Sequence, residues 1–256
     1  MDRIDFSGKV AIITGASSGI GAETAVAFAQ YGAKLSLVGR NEARLLDTVN
    51  KCAVNNKLVP LCIKVDLTEP GSRETVINKT VETYGRIDVL VNCAGKVALS
   101  SLFDNSMETL DDLMNIHFRV PYHLTQLALP HLVKTRGNVI NIGSSMSKRA
   151  KPGLMPYTVS KAAIQLFSKH AALELGSNGV RINSISPGHT KTNILANIGF
   201  DDHDVNESIS FLARSMPSGK IMEPKEVAML ICLTASDVFP SLNGSDLLLD
   251  GGANMA

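Results

Sequence analysis

Short apolar, β-branched runs recur along this chain, and longer stretches with apolar residues three and four apart fill the gaps between them. The runs are Val10 to Ile13, Leu35 to Val38, Leu61 to Val65, Val89 to Val91, Asn138 to Ile142, Val180 to Ile185 and Leu247 to Leu249. Each is brief and mostly apolar, the pattern of a strand buried on both faces. Ala22 to Gln30, Arg44 to Val54 and Ala162 to Leu175 carry the period of an amphipathic helix instead. Strand, helix and strand repeated in this way predict right-handed crossovers. The expected fold is α/β: a doubly wound, Rossmann-like parallel sheet of about seven strands with helices on both faces. No repeat, low-complexity tract or linker divides the chain, which reads as one domain over residues 1–256.

The rhythm breaks between residues 188 and 220. Gly199, the acidic run Asp201-Asp202-His203-Asp204 and the turn Pro217-Ser218-Gly219 interrupt a stretch holding Ile194, Leu195, Ile198, Phe200, Phe211 and Leu212. A segment of that length outside the sheet is either a functional lid or a disordered insert. Its apolar residues favour a lid that packs on a substrate.

Composition narrows the function by exclusion. The 25 Lys and Arg against 24 Asp and Glu leave a net charge of +1, and there is no basic cluster, so nothing points to a nucleic-acid partner. Cys52, Cys62, Cys93 and Cys232 lie far apart, with neither a CxxC pair nor a histidine at metal-ligand spacing. They read as reduced thiols, with no metal site. The N-terminal MDRIDFSGKVAII is charged at once and too short in its apolar run for a signal peptide or membrane span, so a cytoplasmic location is expected.

Chemistry begins at Thr14-Gly15-Ala16-Ser17-Ser18-Gly19-Ile20-Gly21, which follows the first strand and opens the first helix. Gly15 permits a tight turn, Gly19 leaves the backbone open to a pyrophosphate, and Gly21 lets the helix sit close to the sheet. The helix N-terminus then offers free N–H groups to phosphate. Where an acidic residue would accept the adenosine ribose 2′-hydroxyl, at the end of the second strand, this chain has Gly39-Arg40-Asn41. Gly39 cannot accept that bond, and Arg40 can clamp a 2′-phosphate, so NADP(H) is favoured over NAD(H). The alternative is that Arg40 merely snorkels at the surface.

These residues, with Asp66-Leu67, Asn92-Cys93-Ala94-Gly95, Ser144, Tyr157 with Lys161, and Pro187-Gly188 followed by Thr192, resemble the short-chain dehydrogenases/reductases of about 250 residues. The likeness runs from Gly8 to Gly252. It implies cofactor contacts along Gly15, Ser17, Ser18, Gly19, Ile20 and Gly21 and at Arg40 and Asn41. Asp66 and Leu67 would meet adenine, and Asn92, Ala94 and Gly95 would line the cofactor. Pro187, Gly188, Thr190 and Thr192 would hold the nicotinamide. Cys93 reads as a packing residue. The resemblance also implies a homotetramer built by the helices containing Asp111 to Leu132 and Ser160 to Leu175 with the last strand.

Tyr157 and Lys161, four apart on a predicted helix, share one face. A lysine ammonium beside the phenol, with an oxidised nicotinamide, should favour the phenolate and lower the tyrosine pKa. Ser144 stands where the family places its carbonyl-orienting hydroxyl, and Lys161 would also bond the nicotinamide ribose. The implied reaction is hydride transfer between nicotinamide and a carbonyl carbon. One position departs from the family: its usual asparagine in the helix after the fourth strand aligns with His117. That histidine either joins the proton relay or is a hydrogen-bonded helix residue. Met146, Leu154 and Met155 point to a lipophilic carbonyl or secondary alcohol, such as a ketosteroid or acyl chain. An NAD-dependent alcohol or sugar dehydrogenase of the same family, and a cofactor-binding regulatory module, are the rival readings.

Overall fold

The computed structural model describes residues 4–55, 58–194, 212–214 and 216–255. Seven strands form one parallel sheet: β1 (Val10–Thr14), β2 (Lys34–Gly39), β3 (Leu61–Lys64), β4 (Val89–Asn92), β5 (Asn138–Ile142), β6 (Arg181–Pro187) and β7 (Asp246–Leu249), in the order β3-β2-β1-β4-β5-β6-β7. All seven predicted strands are present, with ends shifted by at most two residues; the sixth runs on to Pro187 because Ser186 and Pro187 pair with Leu248 and Leu249.

Alternate residues of the central strands feed two separate cores, as a pleat requires. Ala11, Ile13, Leu35, Leu37, Val89, Val91 and Ile140 pack with Phe28, Leu45 and Ile231 on one face. Ile12, Val38, Leu90, Val139 and Ile182 pack with Val76, Leu124 and Ala171 on the other. The first face is covered by α1 (Gly19–Gln30), α2 (Glu42–Asn55) and α7 (Pro224–Ala235). The second is covered by α3 (Ser72–Tyr84), α5 (Val120–Thr135) and α6 (Met155–Leu175). Strands apolar on both sides and helices polar on one are thus the same burial demand met by two periodicities.

The stretch read as one helix from Asp111 to Leu132 is built in three pieces. A short α4 (Glu108–Met114) runs into a π-helical turn, Asn115–Arg119, in which the Val120 N–H reaches back to the Asn115 carbonyl, and α5 then continues. No glycine marks this widening, and the nearest proline, Pro121, lies beyond it, so the pattern gave no warning. Single π turns recur at functional sites. Of the segment read as a lid, 195–211 and 215 lie outside the described residues, and with them Phe200, Phe211 and the acidic run.

Two polar ties fix β1 against β4, which sits far away in sequence. At the entry end, the buried Asp88 carboxylate accepts the Val10 N–H (2.9 Å) and both arms of Arg86 (2.8 and 2.6 Å). At the exit end, Thr14 Oγ1 accepts the N–H groups of Cys93 and Ala94, both at 3.0 Å. The chain reverses its order across the sheet at this pair of strands, and the crevice beyond their carboxyl ends is where such folds bind ligands.

Candidate active site

A cleft of about 1790 Å³ opens at that crevice. Its floor is the loop between β1 and α1. Gly15 takes a left-handed backbone (φ +68°), and a β-carbon on it would stand 2.9 Å from Ala94 Cα. One on Gly21 would stand 2.3 Å from the Gly15 carbonyl oxygen, so neither position admits another residue without opening the turn. Ser18 heads α1 without a side-chain bond to its first turn, which leaves backbone N–H groups for a ligand.

Ser17, Ser18, Gly19, Ile20, Arg40, Asn41, Asp66 and Leu67 line one end of the cleft. There Arg40 lies 3.3 Å from Asp66, a solvated pair worth little by itself. Burial opposes it, but bonds from Thr68 and the Arg40 guanidinium hold the Asp66 carboxyl below its ordinary value. Asn41 also caps α2, its Oδ1 accepting the Arg44 N–H at 3.0 Å. Arg44 lines the cleft as well and was not singled out by the sequence; it stands four residues after Arg40, one turn into a helix. Ala94, Gly95, Pro187, Gly188, Thr190 and Thr192 line the middle.

Asn92 does not reach the wall. Its Nδ2 donates to Asn141 Oδ1 (2.8 Å), and Asn141 donates on to Ser168 (2.9 Å), so Asn92 belongs to a polar ladder inside the sheet. The strand continues one residue further than expected, and this turns Asn92 inward. Burial pushes the Cys93 thiol up to about 12, which leaves it a protonated packing residue.

Ser144, Tyr157 and Lys161 meet at the other end. Ser144 lies just past β5, capping the 3-10 turn Ser145–Lys148 by accepting the Met146 N–H (3.2 Å). Its carbonyl is held by Ser147 Oγ (2.7 Å) and Gln165 Nε2 (3.1 Å). Tyr157, Lys161 and Gln165 recur every four residues of α6, so one helix face carries the phenol, the ammonium and the clamp on the serine loop. Gln165 was missed because a buried glutamine looks like any helix residue in sequence. Lys161 Nζ donates to the Ile142 carbonyl at 2.8 Å, and burial lowers its pKa to about 8. Burial raises Tyr157 above its ordinary value, opposed by a hydrogen bond from Ser144. The expected lowering is therefore absent in the chain by itself, because losing water outweighs the Ser144 bond.

His117 is buried, 2% exposed, on the π turn. Its ring stands edge-on to Tyr157, centroids 5.5 Å apart. Nε2 accepts the Lys96 N–H at 3.2 Å and Nδ1 meets Ser160 Oγ at 2.9 Å. Met146 and Leu154 line the cleft with Val97, Leu99, Ile194 and Ile221, whereas Met155 points out to solvent and does not. Among the described residues no group of three or more His, Cys, Asp and Glu is arranged to hold a metal ion, and no helix is long and apolar enough to cross a membrane.

A family model described as enoyl-(acyl carrier protein) reductase matches residues 15–254. The chain is 34% identical over 248 residues to the 3-oxoacyl-acyl-carrier-protein reductase FabG of Thermotoga maritima, covering 96% of this chain and 97% of that protein. A crystal structure of a short-chain dehydrogenase/reductase of unknown function from Caenorhabditis elegans, with cofactor, matches with a TM-score of 0.93 at 30% identity, over 98% of this chain and 97% of that one. L-sorbose reductase from Gluconobacter frateurii, complexed with NADPH and L-sorbose, matches with a TM-score of 0.91 at 27% identity over 100% of both chains. A family match and relatives that run nearly end to end settle what the cleft suggested: the chain belongs to the short-chain dehydrogenase/reductase family, as an oxidoreductase acting on CH–OH and C=O groups.

Proposed function

We propose that this chain is an NADP(H)-dependent oxidoreductase that reduces a lipophilic ketone, or oxidises the corresponding secondary alcohol. The observation that carries the reading is the single cleft in which the glycine loop, Arg40 and Arg44 stand at one end and Ser144, Tyr157 and Lys161 at the other. The residues fit a nicotinamide dinucleotide: the cradle around Gly15 and Gly21 excludes any β-carbon, and α1 offers uncapped N–H groups above it. Arg40 and Arg44 would hold a 2′-phosphate, Asp66 and Leu67 the adenine, and Pro187, Gly188, Thr190 and Thr192 the nicotinamide. Asn92 would support Cys93 and Ala94 from behind.

The nicotinamide, when bound, supplies or takes the hydride. Tyr157 holds the proton for the substrate oxygen, and its raised pKa keeps it protonated and ready to donate. Ser144 donates to the same oxygen and stabilises the charge that develops there. Lys161, one turn further on, supplies the positive charge that favours the phenolate once the proton has left. Val97, Leu99, Met146, Leu154 and Ile221 give the substrate end apolar walls, which support a lipophilic carbonyl over a sugar. A homotetramer would cover the outward apolar residues Tyr122 on α5 and Val159, Leu166 and Leu173 on α6.

Titrating the purified protein with NADPH and with NADH tests the cofactor reading. NADPH should bind more tightly, and Arg40→Ala should weaken NADPH by about tenfold or more, the worth of a charge-assisted bond, while sparing NADH. Equal losses for both would remove Arg40 from the role.

A further inference from the structure

We propose that His117 is a positioning residue for Tyr157: a neutral imidazole fixed as the Nδ1–H tautomer that braces the turn of α6 carrying the phenol and passes no proton. The inference rests on the assignment of Tyr157 above, and it deepens that reading.

The tautomer follows from the partners. A backbone N–H can only donate, so Nε2, which receives the Lys96 N–H at 3.2 Å, carries no proton. The ring proton therefore sits on Nδ1 and is donated to Ser160 Oγ at 2.9 Å. Ser160 in turn donates to the Tyr157 carbonyl at 2.8 Å. Every donor in this series has one acceptor, and the series ends on the main chain of the residue whose hydroxyl does the chemistry. It links the loop after β4 to the first turns of α6 through a side chain that is buried on the π turn. The edge-on contact with the Tyr157 ring adds a second, steric restraint on the phenol.

A relay needs the imidazole to gain and lose a proton at a free nitrogen. Protonating Nε2 would set its new N–H against the Lys96 N–H and forfeit that bond. The charged groups that face the ring reinforce this. Lys161 on α6 and Lys96 on the loop after β4 are both cationic neighbours, and Tyr157 brings no negative charge while protonated. Burial first, and then the Lys161 charge, hold His117 well below its ordinary pKa. The imidazole thus does with two nitrogens what a relay cannot: it stays in one protonation state.

The test combines a spectrum with kinetics, and the spectrum needs no turnover. In ¹⁵N-histidine-labelled protein, long-range proton–nitrogen correlations should show His117 with a pyrrole-like Nδ1 and a pyridine-like Nε2, unchanged across roughly pH 5.5 to 9. A His117 signal that titrates within that range, or shows the opposite tautomer, overturns the proposal even if no substrate has been found. His117→Asn, which can still donate to Ser160, should keep kcat within about threefold and leave the pH profile in place. His117→Leu and Ser160→Ala, which break the series, should lower kcat by about two- to tenfold with little change in KM, the net worth of one hydrogen bond. A loss well beyond tenfold in His117→Asn with a displaced pH profile would make the ring a relay instead. Should His117→Leu fail to fold, Ser160→Ala carries the kinetic arm alone.

Discussion

Replacing Gly95 by alanine puts a methyl group where the cleft has no room for one. The new β-carbon would stand 2.9 Å from His117 Nε2 and 3.2 Å from Cδ2, with Lys161 Nζ at an ordinary 3.7 Å. The imidazole cannot retreat, because Ser160 holds its far side and the ring is almost wholly enclosed. Either the Lys96–His117 bond opens, leaving the part-buried Lys96 N–H and the buried imidazole nitrogen unpaired at about 1–3 kcal/mol, or the ring stays and overpacking costs about the same. Against this, the alanine restricts the unfolded chain and returns about 0.4–1 kcal/mol, since Gly95 does not need a left-handed backbone. The net expectation is a loss of about 1–2 kcal/mol, or a drop in Tm of about 2–8 °C for a chain of this size. Urea unfolding of the cofactor-free protein, followed by circular dichroism, measures it. The decisive comparison is the same substitution in a His117→Ala background. With the ring gone the clash has no second party, so Gly95→Ala should become neutral or slightly stabilising there. A penalty of equal size in both backgrounds would show that the methyl collides with something else, and would refute the reasoning.

Other substitutions separate chemistry from stability. Tyr157→Phe should abolish nearly all turnover while leaving the NADPH dissociation constant close to wild type; retained turnover would exclude the phenol as the acid. Lys161→Met should change how stability depends on pH. The folded pKa of about 8 lies below the ordinary 10.5, so burying the ammonium costs stability in full well below pH 8. The cost shrinks as pH rises past 8, where the folded lysine sheds its proton, and is gone above 10.5, where the unfolded one does too. Wild type should therefore gain on the variant by about 2 kcal/mol between roughly pH 7.5 and 9.5, measured by denaturant unfolding at each pH. A constant difference would mean that Lys161 is not perturbed. Asp88→Ala strips the Val10 N–H and the Arg86 guanidinium of their buried acceptor, and should cost about 2–4 kcal/mol in the same assay. A loss under about 0.5 kcal/mol would mean that water replaces the carboxylate.

Strand positions were legible because burial on both faces leaves continuous apolar runs, and Val10–Ile13 or Val89–Val91 can hardly be read otherwise. The glycine loop was legible because close approaches force its spacing: Gly15 to the Ala94 backbone, Gly19 to Thr192 and Gly21 to the Gly15 carbonyl. What escaped was set by contacts between distant segments. Asn92 turned inward because Asn141, in register on β5, accepts its bond and donates on to Ser168 of α6, and neither residue is near it in sequence. Gln165 reaches the Ser144 carbonyl and Arg44 the cleft wall through helix phase alone. The π turn at Asn115–Arg119 changes hydrogen-bond reach without changing residue type, so hydrophobic spacing could not reveal it. Tyr157's raised pKa likewise depends on how much water the finished fold excludes.

The order of the sheet has a consequence for how the chain is made. β1 lies in the middle, yet one of its two partners, β4, joins it at Ala11↔Val89 through Ile13↔Val91. A ribosome working at about 5–20 residues per second needs roughly 4–15 s to pass from Thr14 to Val89. Through that interval β2 can occupy one side of β1 while the other side stays an open, largely apolar edge. Such an edge is a template for pairing with another chain. Nascent or refolding molecules should therefore be most vulnerable to clumping before residue 92 emerges, and refolding yield should fall as concentration rises, although the finished protein buries that strand completely.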